Sequence, residues 1–273
     1  MKNIKRRFFI KSSSLIAGGL VLPSFKIERM ANNANNKKLK VSVIGCGGRG
    51  TGAAVQALRA DDNVELIAMA DAFKDRLENS LAAIKEEMDG EKKIDVKEKN
   101  RFTGFNGYKK AIDLADVVIL ATPPGFRPLH FKYAIENDKH VFMEKPVATD
   151  ANGVRQVLKT AKDAQQKELN VVVGLQRRYQ FSYLNILKQV RRGVIGKITS
   201  GQVRWNGAGV WVRGRKPNQT EMEYQMRNWY YFNWLCGDHI VEQHIHNLDV
   251  ANWFLNEYHI SAQGMGGREV RKE

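Results

Sequence analysis

A glycine-rich turn between a predicted strand and a predicted helix constrains the fold of this chain more than any other feature. The apolar, β-branched segment Leu39–Ile44 predicts a buried strand, and it runs directly into Gly45-Cys46-Gly47-Gly48-Arg49-Gly50. Glycines at 45, 47 and 50 have the spacing of a dinucleotide-binding turn. In such a turn they permit the sharp bend, the approach of a pyrophosphate and close helix–strand packing. The pattern predicts nucleotide phosphates against the N–H groups that begin the next helix.

Apolar segments with strand composition alternate with helical segments up to about residue 175. Their alternation at βαβ intervals predicts an α/β fold, with a doubly wound parallel Rossmann sheet over residues 35–175. The later predicted strands are 64–70, 117–122, 141–143 and 171–174. The predicted helices are 51–60, 74–88, 130–137 and 151–167.

The composition changes after Gln176, where glycine-rich and aromatic segments replace the regular alternation. We expect a second, α+β domain over residues 176–273 that supplies the substrate side. Its predicted elements are helices at 183–192 and 238–254, a strand at 198–206, a loop at 207–226 and an aromatic stretch at 228–235. Aromatic clusters usually pack in cores, so about half of that stretch is expected to be buried, although its rings could also stack on sugars.

Asp71 ends the second predicted strand at about the distance from Gly45 that a ribose-binding acid requires. A carboxylate there accepts hydrogen bonds from ribose hydroxyls and repels a 2′-phosphate, which favours NAD over NADP. Lys74 and Arg76 are close enough in sequence to leave NADP open. The alternative role of Asp71 is structural, at a strand-end turn or helix cap.

The first 34 residues have the pattern of an export signal and a linker. Lys5-Arg6-Arg7-Phe8-Phe9-Ile10-Lys11 resembles a twin-arginine motif, and the apolar run that follows, residues 15–22, is too short to span a bilayer. We therefore expect the twin-arginine export machinery as a partner and a periplasmic or otherwise exported protein. Because that route moves folded proteins, a tightly bound cofactor is expected. The alternative is a basic, disordered N-terminus.

The net charge of +15 raises the question of a nucleic-acid partner. Much of the excess lies in the first thirty residues, and later basic residues alternate with acidic ones. Such a distribution is typical of a solvated surface, so no nucleic acid is expected. Cys46 and Cys236 are too few for a disulfide framework, and Cys46 is expected to be a small apolar side chain within the glycine turn.

Four titratable residues share one face of the predicted helix at 238–254. His239, Glu242, His246 and Asp249 stand at positions i, i+3, i+7 and i+10. Such a stripe could line a cleft, bind a metal or cap a solvated surface. Histidine suits proton transfer near neutral pH, and Glu242 or Asp249 could orient His246 through its second ring nitrogen.

Several motifs together resemble the Gfo/Idh/MocA family of glucose–fructose oxidoreductases and inositol dehydrogenases. They are the glycine turn, Asp71, Ala121-Thr122-Pro123-Pro124, Glu144-Lys145-Pro146, Gly174-Leu175-Gln176-Arg177-Arg178 and Gly193-Val194-Ile195-Gly196-Lys197-Ile198. The resemblance runs from about residue 38 to residue 267. Its members usually continue well beyond the end of this chain, so we expect the second domain to be incomplete and leave a homo-oligomer open.

The resemblance implies roles for individual residues. Lys145 would point at the substrate hydroxyl beside the nicotinamide, with a cis proline after it. His246 would be the acid/base partner, with Glu242 in the place of the usual Asp. The expected cofactor residues are Gly45, Gly47, Gly48, Arg49, Gly50, Asp71, Thr122, Pro123 and Glu144, and the expected substrate residues are Arg178, Tyr179 and Asp249.

These observations predict an NAD(P)-dependent oxidoreductase acting on the CH–OH groups of a sugar-like or cyclitol-like polyol. One alternative keeps the same site for an NAD-dependent glycosidase that acts through a transient keto sugar. Another is a metal-dependent hydrolase built on His239, Glu242 and His246. A non-catalytic nucleotide-binding protein is the last alternative.

Overall fold

Six parallel strands form the sheet that the alternating sequence pattern predicts. The computed structural model describes residues 38–89, 92–207 and 209–267, so the predicted export signal lies outside the described residues. The strands are β1 (Leu39–Ile44), β2 (Val64–Asp71), β3 (Arg101–Thr103), β4 (Val117–Leu120), β5 (His140–Met143) and β6 (Val171–Val173). Neighbouring strands of the sheet pair in parallel.

The strand order, β3-β2-β1-β4-β5-β6, changes direction between β1 and β4. A sheet with this order opens a crevice at the carboxyl ends of the strands where the direction changes. Ile44 at the end of β1 is in register with Ala70 of β2 and Leu120 of β4. This register brings the glycine turn, Asp71 and Thr122 to one edge of the sheet. The fold is the doubly wound Rossmann arrangement that the sequence predicts.

Helices connect the strands and continue after β6. They are α1 (Gly48–Ala60), α2 (Lys74–Glu87), α3 (Gly107–Leu114), α4 (Arg127–Glu136), α5 (Ala151–Gln166), α6 (Phe181–Arg191), α7 (Glu221–Arg227), α8 (Asn233–Cys236) and α9 (Ile245–Leu255). A π-helical turn, Ile240–His244, leads directly into α9. Within the described ranges, no helix combines the length and the apolar character that crossing a bilayer requires.

Each face of the sheet carries its own apolar core. On one face, Leu58 of α1 and Leu77 of α2 pack with Val43 of β1, and each is almost fully buried. On the other face, Ile112 of α3 and Phe131 of α4 belong to a second buried cluster. Burying a side chain of this size contributes about 1.5–3 kcal/mol. The two cores therefore cover both faces of the sheet and leave the carboxyl ends of its strands for the site.

The prediction of a strand at 198–206 is wrong. This segment is irregular, and most of it is exposed, with Ile198, Val203 and Trp205 only half-buried. A strand forms when a neighbour accepts and donates its backbone hydrogen bonds, and the described residues place no strand beside this one. Its apolar alternation therefore produces partial burial without a sheet.

Other differences concern short elements. The sequence predicts neither β3 nor α3. A three-residue strand that begins with an arginine has no clear periodicity, and α3 has only eight residues. The predicted loop at 207–226 contains most of α7. The aromatic stretch is less buried than expected, since none of its five rings is fully buried and Trp234 is 45% exposed.

Candidate functional site

The glycine turn has the close contacts that its spacing predicts. Gly45 has φ +98°, and a Cβ placed on it would lie 2.5 Å from the backbone N of Thr122. A Cβ on Gly50 would lie 1.9 Å from the carbonyl oxygen of Gly45. Glycine is therefore required at both positions, one for the bend and one for the packing of α1 against β1.

Gly47 and Gly48 differ from these two because their surroundings are open. A Cβ on either would meet no heavy atom within 4 Å. Gly47 caps α1 without a side-chain hydrogen bond, and the first N–H groups of a helix lack intrahelical partners. An accessible cradle at a helix N-terminus fits the pyrophosphate of a dinucleotide.

Asp71 fastens this turn to the end of β2. Its Oδ2 accepts a hydrogen bond from the backbone N–H of Cys46 at 2.7 Å, and its Oδ1 accepts one from Phe73 at 2.9 Å. Burial raises the pKa of Asp71, and these two hydrogen bonds oppose the rise. The structural role considered for Asp71 is thus present. The side chain also lines the adjoining cavity, so a ribose contact stays a prediction.

Cys46 packs as a small apolar side chain, as expected. It is 3% exposed and belongs to the core beneath α1 and α2. Burial and the neighbouring carboxylate of Asp71 raise the pKa of its thiol. Cys46 and Cys236 are both buried, free cysteines.

A cavity of about 470 Å³ lies over the carboxyl ends of β1, β2 and β4. Among the predicted cofactor residues, its lining includes Gly45, Gly47, Gly48, Arg49, Asp71, Thr122 and Pro123. The second half of the chain adds Trp211, Arg213, Met226, Arg227 and Trp229. The structure therefore brings seven residues from separate motifs around one space, which is large enough for a ligand of small-molecule size.

Arg49 and Glu144 are two further predicted cofactor residues, and they form an ion pair with each other. Arg49 Nε lies 2.7 Å from Glu144 Oε1. Glu144 follows β5, whereas Arg49 lies in the first turn of α1, so the pair joins the glycine turn to the neighbouring strand end. Glu144 is only 9% exposed. It therefore contributes a buried negative charge beside the first turn of α1.

Lys145 and Glu242 meet across the two halves of the chain. Lys145 Nζ donates to Glu242 Oε1 at 2.9 Å and also to the Glu242 backbone carbonyl. Burial raises the pKa of Glu242, while the charge and hydrogen bond of Lys145 oppose that rise. The peptide bond between Lys145 and Pro146 is cis, as the family resemblance implies. Two of the predicted catalytic residues are thereby in direct contact.

His246 lies near this pair on the first turn of α9. It is 8% exposed, and its ring stacks on Trp205 with the ring centroids 5.8 Å apart. Burial, together with the charges of Lys145 and Arg177, lowers the pKa of His246 to about 4. The imidazole is therefore neutral near neutral pH and able to accept a proton.

Two polar atoms of this group are buried with no hydrogen-bond partner among the described residues. They are Glu242 Oε2 and His246 Nδ1. Buried polar atoms normally have partners, and those that lack one in the protein suit a bound molecule. Both atoms are therefore available to hydrogen-bond a bound molecule.

The helical stripe differs from its prediction. His239 is exposed, with its ring 6.3 Å from that of His244, whereas Glu242 and His246 are buried. The π-helical turn between them changes the angular spacing, so the four residues do not share one face. Within the described residues, no group of three or more His, Cys, Asp or Glu side chains is arranged to hold a metal ion.

The predicted substrate residues are only partly brought together. Arg178 holds Asp249 through two hydrogen bonds of 2.8 Å, from Nε and Nη2. Asp249 thus pairs with Arg178 and Glu242 with Lys145, so neither carboxylate hydrogen-bonds His246. Tyr179 is 66% exposed and lies outside this network.

The comparison with protein families identifies the Rossmann part of the chain. Residues 39–173, about half of the chain, match the family described as Gfo/Idh/MocA, an oxidoreductase family with an NAD-binding Rossmann fold. This is a Gfo/Idh/MocA domain. NAD is accordingly its cofactor, and the open cradle at Gly47 and Gly48 fits a dinucleotide.

Individual relatives extend the similarity beyond the Gfo/Idh/MocA domain. A glycosyl hydrolase family 109 protein of Shewanella sp. (strain W3-18-1) is 25% identical over 84% of this chain and 50% of its own length. Inositol 2-dehydrogenase of Rhizobium meliloti (strain 1021) is 25% identical over 76% of this chain and 52% of its own length. The chain therefore spans about half the length of these curated relatives.

A solved structure shows the same fold. Scyllo-inositol dehydrogenase from Lactobacillus casei, with bound NAD(H) and scyllo-inositol, superposes with a TM-score of 0.56 at 20% identity. The match covers 81% of this chain and 57% of that one. At this identity the comparison supports the fold alone.

Arg127 is a buried cation of the Gfo/Idh/MocA domain that the sequence pattern does not predict. Arg127, at the start of α4, is 1% exposed and donates to the carbonyl oxygens of Leu120 and Thr122. Burial lowers its pKa to about 10, and the charges of Glu144 and Glu242 oppose that shift. The position of Arg127 directly after the proline turn is the sequence feature that could have indicated a role in the site.

His130 is a packing residue. It is 5% exposed, its ring centroid lies 4.2 Å from that of Tyr108, and its Nδ1 lies 3.2 Å from Thr122 Oγ1. Burial, with the charge of Arg127, lowers its pKa to about 3. A neutral imidazole therefore supports the wall of the cofactor cavity.

Proposed function

We propose that the protein is an NAD(P)-dependent oxidoreductase acting on the CH–OH groups of a sugar-like or cyclitol-like polyol. The observation that carries this proposal is the buried contact between Lys145 and Glu242 next to His246, within an NAD-binding fold. Two of these residues leave buried polar atoms that have no hydrogen-bond partner in the described part of the chain. The arrangement supplies a hydrogen-bond donor, a proton acceptor and a carboxylate at one place.

The cofactor would rest on the glycine turn. Gly47, Gly48 and the start of α1 would hold the pyrophosphate, and Asp71 would lie beside the adenosine ribose. The nicotinamide supplies a hydride acceptor or donor when bound. All other steps fall to the side chains of this chain.

Lys145 would hold the substrate hydroxyl through its ammonium group. Its charge is fixed in place by Glu242, so a donor can be directed at the oxygen without reorganisation. A positive charge there stabilises the alkoxide character that develops as hydride leaves the carbon. Lys145 thus orients the hydroxyl and makes its proton easier to remove.

His246 would take the hydroxyl proton. Its lowered pKa, about 4, keeps the imidazole neutral over the physiological range, so the acceptor is present before substrate binds. Asp249, whose charge opposes the lowering of the His246 pKa, would stabilise the imidazolium that forms. In the reverse direction His246 returns the proton to a carbonyl oxygen.

A second candidate is a glycosidase that uses the same site. It is favoured by the relatives named glycosyl hydrolase family 109 protein and alpha-N-acetylgalactosaminidase. Transient oxidation of a sugar hydroxyl acidifies the neighbouring C–H and allows the glycosidic oxygen to leave. Water then adds and the hydride returns. The net reaction is hydrolysis with the cofactor unchanged.

Product analysis with purified full chain separates the two candidates. Incubation with a panel of inositols, free sugars and aryl glycosides is followed for NADH formation and for aglycone release. Reduction of added NAD by a polyol supports the dehydrogenase, and aglycone release without net reduction supports the glycosidase. Neither product from a protein with bound NAD would contradict both.

A further inference from the structure

A segment from the second half of the chain closes one side of the dinucleotide cavity. Residues 211–229, which we call the strap, contribute Trp211, Arg213 and Trp229 to the cavity lining. These three side chains share that lining with Asp71 and Phe73 at the end of β2. The carboxyl end of the second strand is where the adenosine ribose lies in a Rossmann fold. The strap therefore faces the adenosine end of a bound dinucleotide.

Arg227 joins the strap to the Rossmann sheet. Its Nη1 and Nη2 donate to the two carboxylate oxygens of Asp75 at 2.9 and 3.0 Å. Its guanidinium carbon also lies 4.0 Å from the ring centroid of Phe73. A forked ion pair combined with stacking on a ring specifies geometry better than a single contact. We call this contact between Arg227 and Asp75 the clasp.

Residues of the strap that line the cavity also contact one another. The rings of Trp211 and Trp229 pack edge to face with their centroids 6.0 Å apart. The guanidinium of Arg213 lies 4.9 Å from the centre of the Trp211 ring. Asn228, 3% exposed, accepts a hydrogen bond from the backbone N–H of Arg213 at 2.9 Å. Residues near one end of the strap, Asn228 and Trp229, thereby contact Trp211 and Arg213 near the other end.

Two cations at this place suit a phosphorylated ligand. Arg76 and Arg213 both line the cavity, and neither forms a salt bridge with a carboxylate in the described parts of the chain. Burial, and then the charges of Arg76 and Arg227, lower the pKa of Arg213. Guanidinium groups held close together repel each other, and an anion between them relieves that repulsion. A dinucleotide carries such charge on its phosphates.

We propose that the strap forms the outer wall of the adenosine-binding site and that the clasp slows release of the dinucleotide. The proposal rests on the dinucleotide site of the proposed function. With the clasp closed, the Rossmann sheet holds the cofactor on one side and the strap covers it on the other. Release then requires the bond between Arg227 and Asp75 to break.

Dissociation of bound NADH tests the clasp. Full-length protein loaded with NADH is mixed with excess NAD⁺. The change from the fluorescence of bound NADH to that of free NADH gives the dissociation rate. We expect Asp75→Asn, which removes the forked ion pair, to raise that rate about fivefold, and Arg227→Ala, which also removes the contact with the Phe73 ring, to raise it about tenfold. Because the two variants break the same ion pair, the double variant is expected to match Arg227→Ala.

A matched control comes from a second ion pair on the same helix. Glu87, at the end of α2, pairs with Arg59 of α1 at 3.1 Å and not with Arg227. Glu87→Ala is expected to leave the dissociation rate unchanged. Asp75→Asn changes an exposed side chain of α2 and keeps the strap sequence intact, so the test stands even where Arg227→Ala fails to fold.

The outcomes separate this proposal from the function on which it depends. Wild-type protein that does not bind NADH would overturn the dinucleotide site itself. Wild-type binding with unchanged dissociation in Asp75→Asn and Arg227→Ala would overturn the clasp alone. Faster dissociation in Glu87→Ala as well would show a general loss of rigidity and would also overturn the clasp.

Discussion

Lys145 and Glu242 form a buried ion pair of 2.9 Å although 97 positions separate them in the chain. The side chains are only 13% and 8% exposed. A buried charge that loses its partner is costly, so each residue depends on the other. The contact joins the end of β5 to the π-helical turn before α9, and it places the lysine that would hold the substrate hydroxyl near His246.

Replacement of Lys145 is expected to abolish turnover while leaving the cofactor bound. Lys145→Met should lower kcat by about 10²–10³-fold, the usual effect of removing one donor that stabilises a developing negative charge on oxygen. Steady-state kinetics and the bound NAD content measure the two effects. The matched control is Lys159→Met, at an exposed position of α5, which should keep full activity. Equal activity of both variants would remove Lys145 from the mechanism.

Two glycines of the turn are expected to affect different properties, one the stability of the fold and the other NAD binding. Gly50→Ala places a Cβ 1.9 Å from the Gly45 carbonyl oxygen, and such overpacking should destabilise the fold by about 2 kcal/mol or more. Gly47→Ala meets no atom within 4 Å, so it should spare stability and weaken NAD binding. Urea unfolding and NAD titration distinguish them. A stable, NAD-binding Gly50→Ala protein would contradict the close packing of α1.

His130 is expected to make stability depend on pH. Its folded pKa of about 3 lies below the unfolded value near 6.5, so the unfolded chain binds the proton more readily. The contribution to stability is complete above about pH 6.5 and falls as the pH drops towards 3, with about 2 kcal/mol lost by about pH 5.

Urea unfolding at several pH values measures this slope. His130→Asn should make the dependence less steep, with the remaining slope coming from His246, whose pKa is also lowered by burial. His259→Asn, at an exposed position, should keep the wild-type slope. An unchanged slope in the His130 variant would show that another group controls the acid transition.

Arg127 is expected to be needed for folding of the cavity wall. Arg127→Met removes both donors from the carbonyl oxygens of Leu120 and Thr122 and a positive charge near Glu144 and Glu242. We expect a loss of about 3 kcal/mol in the free energy of unfolding. Arg155→Met, at an exposed position of α5, should change it little. Similar unfolding midpoints for the two variants would contradict this role.

We propose that the N-terminal motif directs export through the twin-arginine route. A fusion of residues 1–37 to a reporter that folds before export should reach the periplasm, and Arg6→Lys with Arg7→Lys should keep it in the cytoplasm. Cell fractionation measures the distribution. The control replaces Lys2 and Lys5 and should still be exported. Retention of the unaltered fusion in the cytoplasm would exclude the motif as a signal.

The sequence alone is sufficient to predict the elements that depend on residues close together in the chain. The strand at 39–44, the glycine turn and α1 follow one another, and each has a local pattern. The predicted helices at 74–88 and 151–167 match α2 and α5 to within one residue at their ends. Asp71, Thr122 and Glu144 could be placed at one edge because each follows a parallel strand.

Only the tertiary structure decided how the second half of the chain meets the first. The bond of Lys145 to Glu242, the pairing of Arg178 with Asp249 and the clasp of Arg227 on Asp75 join residues far apart in sequence. The failed strand at 198–206 shows the same limit, because an alternating pattern becomes a strand only beside a partner. Local chemistry determined the cofactor turn, and long-range packing determined which side chains reach it.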